Sequence, residues 1–135
     1  MVNIKDIKAR EILDSRGNPT IECDIFLSDN SFGRAAVPSG ASKGKYEAIE
    51  LRDKDLTRYN GKGVQKAIEN ILKVIKPKVE GLEFSNFMDF DDKIINIDGT
   101  KNKSNLGANS TLALSLAFAK ALSAHKKQHF WESGK

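Results

Sequence analysis

The spacing of the apolar residues changes once along this chain, from the two-residue period of a strand to the period of a helix. Residues 7–14, 20–28 and 32–38 have strand character, and the turn clusters SRGNP and DNS separate them. Every second residue of the middle stretch is apolar, at Ile21, Cys23, Ile25 and Leu27. Because such short turns join antiparallel neighbours, the first part of the chain predicts a three-stranded antiparallel meander.

The second part of the chain carries apolar residues at helical spacing. Residues 63–75 predict one helix, which Pro77 should end, and Ser85 is a suitable N-cap for the next helix. Residues 108–126 predict the strongest helix, because they are rich in alanine and apolar on nearly every side, as in a helix buried against neighbours. Strands followed by helices indicate an α+β fold, here a three-stranded antiparallel meander followed by a helical bundle.

The charge distribution argues against nucleic acid as the main partner. The chain has 22 Lys and Arg and 18 Asp and Glu, a net charge of +4, which is basic enough for such binding. However, the two signs are interleaved and no run of five basic residues occurs, so a solvated surface is the better interpretation. The 135 residues have room for one domain of ordinary size.

Three features predict a cytoplasmic protein that does not span a membrane. The longest apolar run, residues 112–119, is too short to cross a bilayer, and the charged start of the chain is unlike a signal peptide. Cys23 is the single cysteine, so no disulfide forms within the chain, which fits a reducing compartment. In its alternating strand, Cys23 is expected to be a small buried apolar residue rather than a catalytic thiol.

The sequence PSGASKGKYE, at residues 38–47, lies where strand character gives way to helical character, a position typical of phosphate-binding loops. Its spacing excludes a Walker loop, because only three residues separate Gly40 from Gly44 and Tyr46 occupies the position of the required Ser or Thr. The second glycine pair, GKGVQK at residues 61–66, lacks the third glycine of a dinucleotide-binding loop. We therefore reject both nucleotide-binding interpretations.

Two interpretations of residues 38–47 stay open on composition. One is a plain connection between a strand and a helix. The other is a lid whose Ser39 or Ser42 brings an oxygen ligand to Mg²⁺ on closing, with glycines that let the backbone approach a ligand. Mg²⁺ suits such a lid because it takes few ligands from protein and the rest from water and substrate.

Two further clusters carry side chains of the metal-ligand type. Asp89, Asp91 and Asp92 form an acidic group, which we interpret as the solvated face of a helix rather than a metal site. His125 and His129 have the i, i+4 spacing of zinc ligands, but the sequence offers no third ligand beside them. We interpret these histidines as surface residues near the end of a helix.

Four blocks of sequence are together more specific than any single motif. They are DSRGNPT at residues 14–20, VPSGASKGKYEAIELRD at 37–53, GKGV at 61–64 and DGTKNKSNLGANSTLALSLAFAKA at 98–121. In this order and spacing, over nearly the whole chain, they resemble the N-terminal domain of enolases. The resemblance implies a three-stranded meander followed by helices, which agrees with the expectation from periodicity.

The resemblance implies a part in the interconversion of 2-phosphoglycerate and phosphoenolpyruvate with two Mg²⁺ ions. Enolase-superfamily sites pair a Lys or His base with Mg²⁺, which stabilises an ene-diolate. In the family the SGAS loop closes over the substrate, and its second serine, here Ser42, is a ligand of the second Mg²⁺. The implied substrate lid consists of Ser39, Gly40, Ala41, Ser42, Lys43 and Gly44. Lys43 is a departure, because most members of the family have Thr at this position.

The resemblance also implies that the proton-transfer residues lie elsewhere. In enolases the lysine base, the glutamate acid and three carboxylates for the first Mg²⁺ lie in a C-terminal barrel, which needs about 250 residues. We therefore expect residues 1–126 to form the N-terminal domain and residues 127–135 to begin a connection to a barrel that is absent from this chain. The isolated chain is expected to be inactive, and a truncated interaction module without catalysis is the alternative.

Partners are implied in the same way. Enolases are generally homodimers in which charges of the first domain dock against the partner's barrel, and Arg10 and Glu22 match the positions of those contacts. The alternative for both residues is an ordinary strand surface.

Overall fold

A computed structural model describes residues 2–37, 52–61, 63–99 and 107–133 of the chain, with the side chains of residues 60 and 128–133 left out. In chain order the elements are β1 Val2–Leu13, β2 Pro19–Leu27, β3 Phe32–Ala36, a 3₁₀ turn Tyr59–Gly61, α1 Gln65–Glu69, a π-helical segment Asn70–Ile75, α2 Lys76–Val79, β4 Glu83–Phe84, α3 Phe87–Asp98 and α4 Ala108–Ser133. This order confirms the α+β class, with a meander of strands followed by helices.

The strands form one antiparallel sheet in the order β3-β2-β1-β4. Asp14 shapes the turn between β1 and β2, because its carboxylate accepts the backbone N–H groups of Arg16 and Asn18. The predicted three-stranded meander is confirmed, and β1 begins at Val2, earlier than its alternation indicates. The two-residue strand β4 adds a fourth member beside β1, and it is too short to leave a periodic signal in the sequence.

One face of the sheet packs against α4, which lies across β2 and β3. The apolar positions predicted on β2 are all buried in this core: Ile21, Cys23, Ile25 and Leu27. At Gly33 on β3 the helix comes so close that a Cβ atom would overlap the Ala117 carbonyl oxygen and the Ala121 amide nitrogen. The glycine is therefore a packing requirement, because only a residue without a side chain lets the two backbones approach to this distance.

An aromatic cluster joins the far edge of the sheet to the helices. Phe90 of α3 and Phe118 of α4 stack with their ring centroids 4.3 Å apart. Phe84 of β4 meets both rings edge-on, at 5.4 Å and 5.8 Å. Such aromatic contacts stabilise a core beyond the area that they bury, so this cluster fixes how α3, α4 and β4 meet.

Two predicted helix boundaries are wrong. Pro77 does not end its helix, because the backbone stays helical through α2 to Val79. The π-helical turn before the proline changes the hydrogen-bonding partner of each residue, and Pro77 falls in the first turn of α2, where a missing N–H costs little. Ser85 is not the cap of α3: the side chain of the next residue, Asn86, accepts the N–H of Asp89.

The last helix is longer than its apolar pattern indicates. The predicted helix spans 108–126, whereas α4 continues to Ser133. The predicted domain boundary between residues 126 and 127 lies within this helix, and that domain boundary stays a prediction. Within the ranges that the structure describes, none of the helices has the length and apolar character needed to cross a bilayer.

Candidate functional site

The predicted lid residues, Ser39, Gly40, Ala41, Ser42, Lys43 and Gly44, lie outside the described residues. The structure does describe both flanks of the segment that contains them, which runs from residue 38 to residue 51 and is called the 38–51 segment below. The chain leaves the sheet at Val37 and is described again from Arg52. The contacts of these two flanking residues define where the segment is attached.

Val37, which precedes the 38–51 segment, is attached to the start of β2 by two hydrogen bonds. The Val37 N–H donates to the Ile21 carbonyl at 3.1 Å. The Thr20 hydroxyl donates to the Val37 carbonyl. Thr20 and Val37 are both buried, so these bonds are shielded from competing water.

Arg52, which follows the 38–51 segment, is attached to the same end of β2 by its side chain. Arg52 Nη1 donates to the Pro19 carbonyl at 2.6 Å. Pro19, Thr20 and Ile21 are consecutive residues of β2, so three neighbouring residues hold both ends of the 38–51 segment. This arrangement was not visible in the sequence, because Pro19 and Arg52 are 33 residues apart.

Beyond Arg52, a turn stabilised by Asp53 carries the chain into α1. The Asp53 N–H donates to the Gly63 carbonyl at 2.8 Å. Its carboxylate accepts the N–H groups of Gln65 and Lys66 at 3.0 Å and 2.9 Å. These are unsatisfied donors of the first turn of α1, so Asp53 caps a helix that begins twelve residues later along the chain.

An ion pair attaches this turn to β1. The guanidinium of Arg58 binds the carboxylate of Glu11 in a bidentate arrangement, with Nη1 donating to Oε2 at 2.9 Å and Nη2 donating to Oε1. The Val64 N–H donates to the same Glu11 Oε2 at 2.9 Å. The Arg58 hydrogen bond lowers the pKa of Glu11, with burial opposing it and the Val64 N–H assisting. We call Glu11, Arg58 and Asp53 the polar cluster.

Gly63 leaves room for the side chains of Arg58 and Asp53 in the polar cluster. A Cβ atom at this position would lie 2.6 Å from Arg58 Nη1 and 2.6 Å from Asp53 Oδ2. Arg58 Nη1 and Asp53 Oδ2 are 3.9 Å apart, so the glycine occupies the space beside the two charges. The GKGV motif, which the sequence does not support as a nucleotide loop, therefore has a structural role beside an ion pair.

The residues predicted as dimer contacts, Arg10 and Glu22, lie opposite each other on β1 and β2. Arg10 Nε donates to Glu22 Oε1 at 2.7 Å, and Arg10 also binds Asp24. Arg34 of β3 donates to Asp24 at 2.8 Å from the other side. Sequence reasoning missed Asp24 and Arg34, although their positions at i+2 from Glu22 and on the next strand were a usable signal.

Asp24 is the least accessible member of this charged row. Its side chain is 3% exposed, compared with 56% for Arg34. The hydrogen bond from Arg34 lowers the pKa of Asp24, with burial opposing it and Arg10 assisting. The sheet face turned away from α4 therefore carries an ionised carboxylate held between two guanidinium groups.

Two carboxylates of the acidic group on α3 accept hydrogen bonds from neighbouring residues of the fold. The carboxylate of Asp89 accepts the Ser85 N–H at 3.3 Å, and Asp91 accepts the Ser115 hydroxyl at 2.5 Å. Asp89 and Asp92 are exposed. Among the residues that the structure describes, no three His, Cys, Asp or Glu side chains come together as a group that would hold a metal ion.

His125 pairs with a turn of the sheet. Its Nδ1 lies 2.5 Å from Asp29 Oδ2, which attaches α4 to the turn between β2 and β3. Burial opposes ionisation of Asp29, but the Ser31 N–H and the His125 ring outweigh it and lower the pKa of the carboxyl to about 2. The side chain of His129 lies outside the described part, so the interpretation of both histidines as surface residues is untested for His129.

Cys23 lies in the core, as its alternation predicted. The side chain faces α4 from the middle of β2, and burial raises the pKa of its thiol to about 12. A thiol with such a pKa is almost entirely protonated at neutral pH and is a poor nucleophile.

These features define an α+β domain with a meander, helices packed on one sheet face, and a glycine-rich segment attached at both ends to one strand. The family model of the enolase N-terminal domain matches residues 4–133, which is nearly the whole chain. The chain belongs to the enolase N-terminal domain family.

Proposed function

We propose that this chain is the N-terminal lid domain of an enolase, the Mg²⁺-dependent lyase that interconverts 2-phosphoglycerate and phosphoenolpyruvate. The family match over residues 4–133 carries the proposal. The attachment of both ends of the 38–51 segment to β2 supports it, because a closing loop needs fixed ends from which to move.

Within this function, Ser42 is the residue of the chain that acts on the reaction site. Its hydroxyl oxygen is a ligand of the kind that Mg²⁺ accepts. Magnesium, when bound, stabilises the negative charge of the ene-diolate. The remaining lid residues, Ser39, Gly40, Ala41, Lys43 and Gly44, supply the backbone that brings Ser42 to the substrate and excludes water. The base and the acid belong to an enolase barrel, so the isolated chain is inactive.

The proposed partners are an enolase barrel and, in a complete enzyme, a second subunit of a homodimer. Arg10 and Glu22 are the proposed contacts with the second subunit. Both side chains are partly accessible and are already paired with each other, so a partner would extend an existing charge network rather than neutralise isolated charges. A cytoplasmic location, proposed from the lone cysteine, is consistent with these partners.

The test is a chimera in which residues 1–133 replace the N-terminal domain of a complete enolase. We expect Mg²⁺-dependent formation of phosphoenolpyruvate, measured by its ultraviolet absorbance, and we expect Ser42→Ala to lower kcat/KM by about a hundredfold or more. Ser28→Ala is the matched control, because Ser28 is exposed in the turn after β2 and should leave the rate unchanged.

Two outcomes contradict the proposal. One is a folded chimera whose rate is the same with serine or alanine at position 42. The other is clear turnover by the isolated chain, because it contains no base or acid with an assigned role.

A second candidate is an interaction module without catalysis. It is favoured by apolar side chains that lie exposed on α3 and α4, where Met88 is 71% and Ile95 46% exposed and Leu116 is 38% exposed. A folded but inactive chimera, together with an isolated chain that binds an enolase barrel or another protein, would place this candidate first.

A further inference from the structure

We propose that the outer edge of β3 is a docking site for an extended acidic peptide segment of a partner protein. The peptide adds to the sheet as a strand antiparallel to β3, with carboxylates beside Arg34 and Lys120. This interaction surface does not depend on the proposed enolase function. Every residue of the edge lies in the described part of the chain.

The hydrogen-bond pattern between β2 and β3 determines which backbone groups of β3 point outward. Directly before β3, the Leu27 N–H donates to the Ser31 carbonyl at 2.8 Å, and directly after it, the Val37 N–H donates to the Ile21 carbonyl at 3.1 Å. The register between these two bonds is regular. Because antiparallel bonding alternates from one residue to the next, the odd-numbered residues of β3 bond to β2 and the even-numbered residues point away from it.

The outward backbone groups therefore belong to Phe32, Arg34 and Ala36. In the part of the chain that the structure describes, β3 is the last strand of the sheet on this side, so no strand pairs with these groups. All three residues are exposed, and the accessible fractions are 47% for Phe32 and 56% for the side chain of Arg34. Such a row of backbone donors and acceptors is the template to which an extended peptide adds.

On the sheet face turned away from α4, Arg34 brings a positive charge to the edge. Its Nε donates to Asp24 Oδ1 at 2.8 Å and its Nη2 donates to Asp24 Oδ2 at 3.2 Å. Both bonds use one side of the guanidinium, so the Nη1 side keeps donors for a second carboxylate. Asp24 lies one strand further from the edge and is 3% exposed, so a strand added outside β3 meets the guanidinium first.

A second cation lies on the other face of the edge, on α4. Phe118 lies on the flank of α4 that stacks against α3, and Lys120 lies on the opposite flank. This second flank is beside β3, because a Cβ atom at Gly33 would be 2.8 Å from Lys120 Cβ. Lys120 is exposed, and with Lys127 it lines an open groove of about 420 Å³.

The two cations select the chemistry of the peptide. Successive side chains of a strand point to opposite faces of the sheet, so carboxylates on two adjacent residues reach Arg34 on one face and Lys120 on the other. Phe32, which stacks on Phe26 with the ring centroids 5.5 Å apart, leaves part of its ring uncovered. An aromatic residue of the peptide opposite Phe32 covers that ring.

A second copy of the chain fits this edge less well than an acidic peptide. Antiparallel pairing of two β3 edges about Arg34 places this guanidinium opposite the same group of the other copy. Other registers still bring two copies of Arg34 and Lys120 to one interface. Like charges directly opposite each other destabilise a strand pair, so the charge favours a partner with carboxylates.

The experiment titrates a labelled peptide with the whole chain and measures fluorescence anisotropy. The probe is the acetylated and amidated heptapeptide Thr-Thr-Val-Glu-Glu-Phe-Thr. In the antiparallel register its first glutamate lies opposite Arg34, its second glutamate opposite Gly33 and beside Lys120, and its phenylalanine opposite Phe32. The control peptide is N-methylated at the first glutamate, which keeps every side chain but removes a backbone donor that faces β3. We expect it to bind at least about tenfold more weakly.

A second measurement identifies the backbone groups that bind the peptide. Amide hydrogen exchange is followed by NMR with and without saturating peptide. We expect exchange at Phe32, Arg34 and Ala36 to slow by about tenfold or more, because these N–H groups become bonded to the peptide. Exchange at Gly33 and Ala35 should stay as it is, because these groups are already bonded to β2.

Charge reversal tests the role of Lys120. Lys120→Glu should weaken binding of the peptide about fivefold, and a peptide with lysine in place of its second glutamate should restore the affinity. Lys73→Glu is the matched control, because it makes the same change of charge at an exposed residue of the π-helical segment. It should change the affinity by less than about twofold.

The proposal is overturned if the N-methylated peptide binds as tightly as the parent peptide. It is also overturned if binding leaves the exchange of the three outward amides unchanged, because charge alone would then hold the peptide. Outward amides that are protected without peptide, in a chain that sediments as a dimer, would show that a second copy occupies the edge. None of these outcomes affects the enolase proposal, which the chimera with Ser42→Ala decides.

Discussion

The two faces of the sheet are built from alternate residues of the same strands and are held by different forces. On the face toward α4, Cys23 and Ile25 are fully buried and Gly33 touches the helix backbone. On the opposite face, Asp24 lies between Arg10 and Arg34. The first face depends on volume and the second on charge, so the same strand should respond to substitution in two distinct ways.

The largest expected effect breaks the packed face. Gly33→Ala places a methyl group where the α4 backbone lies, and backbone cannot move aside as a flexible side chain can. We expect a loss of about 3 kcal/mol in the free energy of unfolding, measured by urea denaturation. The control is Ala36→Ser on the exposed side of the same strand, which should change the free energy by less than about 0.5 kcal/mol. Equal effects of the two substitutions would contradict the contact.

A smaller effect is expected on the charged face. Asp24→Asn removes the ionised acceptor between two guanidinium groups while conserving size, and should cost about 2 kcal/mol in the free energy of unfolding. Added salt should weaken the wild type more than the variant, because it screens the charge pairs that only the wild type has. A wild type and variant with the same salt dependence would show that the charged row does not stabilise the fold.

The smallest effect concerns Asp29, in the turn between β2 and β3. The folded chain lowers the pKa of Asp29 from 3.8 to about 2, so the unfolded chain binds more protons between these values. Stability that is present above pH 3.8 is therefore lost as the pH falls toward 2. Asp29→Asn should remove about 1 kcal/mol of this pH dependence. The measurement is the difference between the free energies of unfolding that urea denaturation gives at about pH 5 and at about pH 2.

The control for the pH experiment is Asp92→Asn, which changes an exposed carboxylate on α3. It should retain the wild-type slope of stability against pH. If Asp29→Asn has the same slope as the wild type, the contacts of the Asp29 carboxylate with the Ser31 N–H and the His125 ring do not contribute to acid stability.

The strands and the main helix were predictable because their signals are local. Alternation at Ile21 and Cys23 identifies β2 and its buried face, and an alanine-rich apolar run identifies α4. The helix end at Pro77 was predicted incorrectly. The π-helical segment before the proline allows the helix to continue, and it has no signal in the pattern of apolar residues. Strand β4 was missed since it consists of two residues that exist as a strand only beside β1.

The candidate site likewise has features that were predictable from the sequence and features that were not. The SGAS motif and its neighbours identify the family, and that identification needs only order and spacing along the chain. The contacts of Arg52 and Arg58 were not predictable, because these are two of 22 basic residues and the sequence does not say which carboxylate or carbonyl each one meets. Only the folded sheet brings Glu11 beside Arg58 and Pro19 beside Arg52.

The sequence by itself determined the α+β class, the order of the meander and helices, the burial of Cys23 and the membership of the enolase N-terminal domain family. These follow from side-chain periodicity, turn chemistry and motif spacing, which act over a few residues or are read directly along the chain. The tertiary structure alone decided the close approach at Gly33, the charged row around Asp24 and the attachment of the 38–51 segment. Each of these depends on which distant residues meet, and packing and strand register, rather than local preference, determine that.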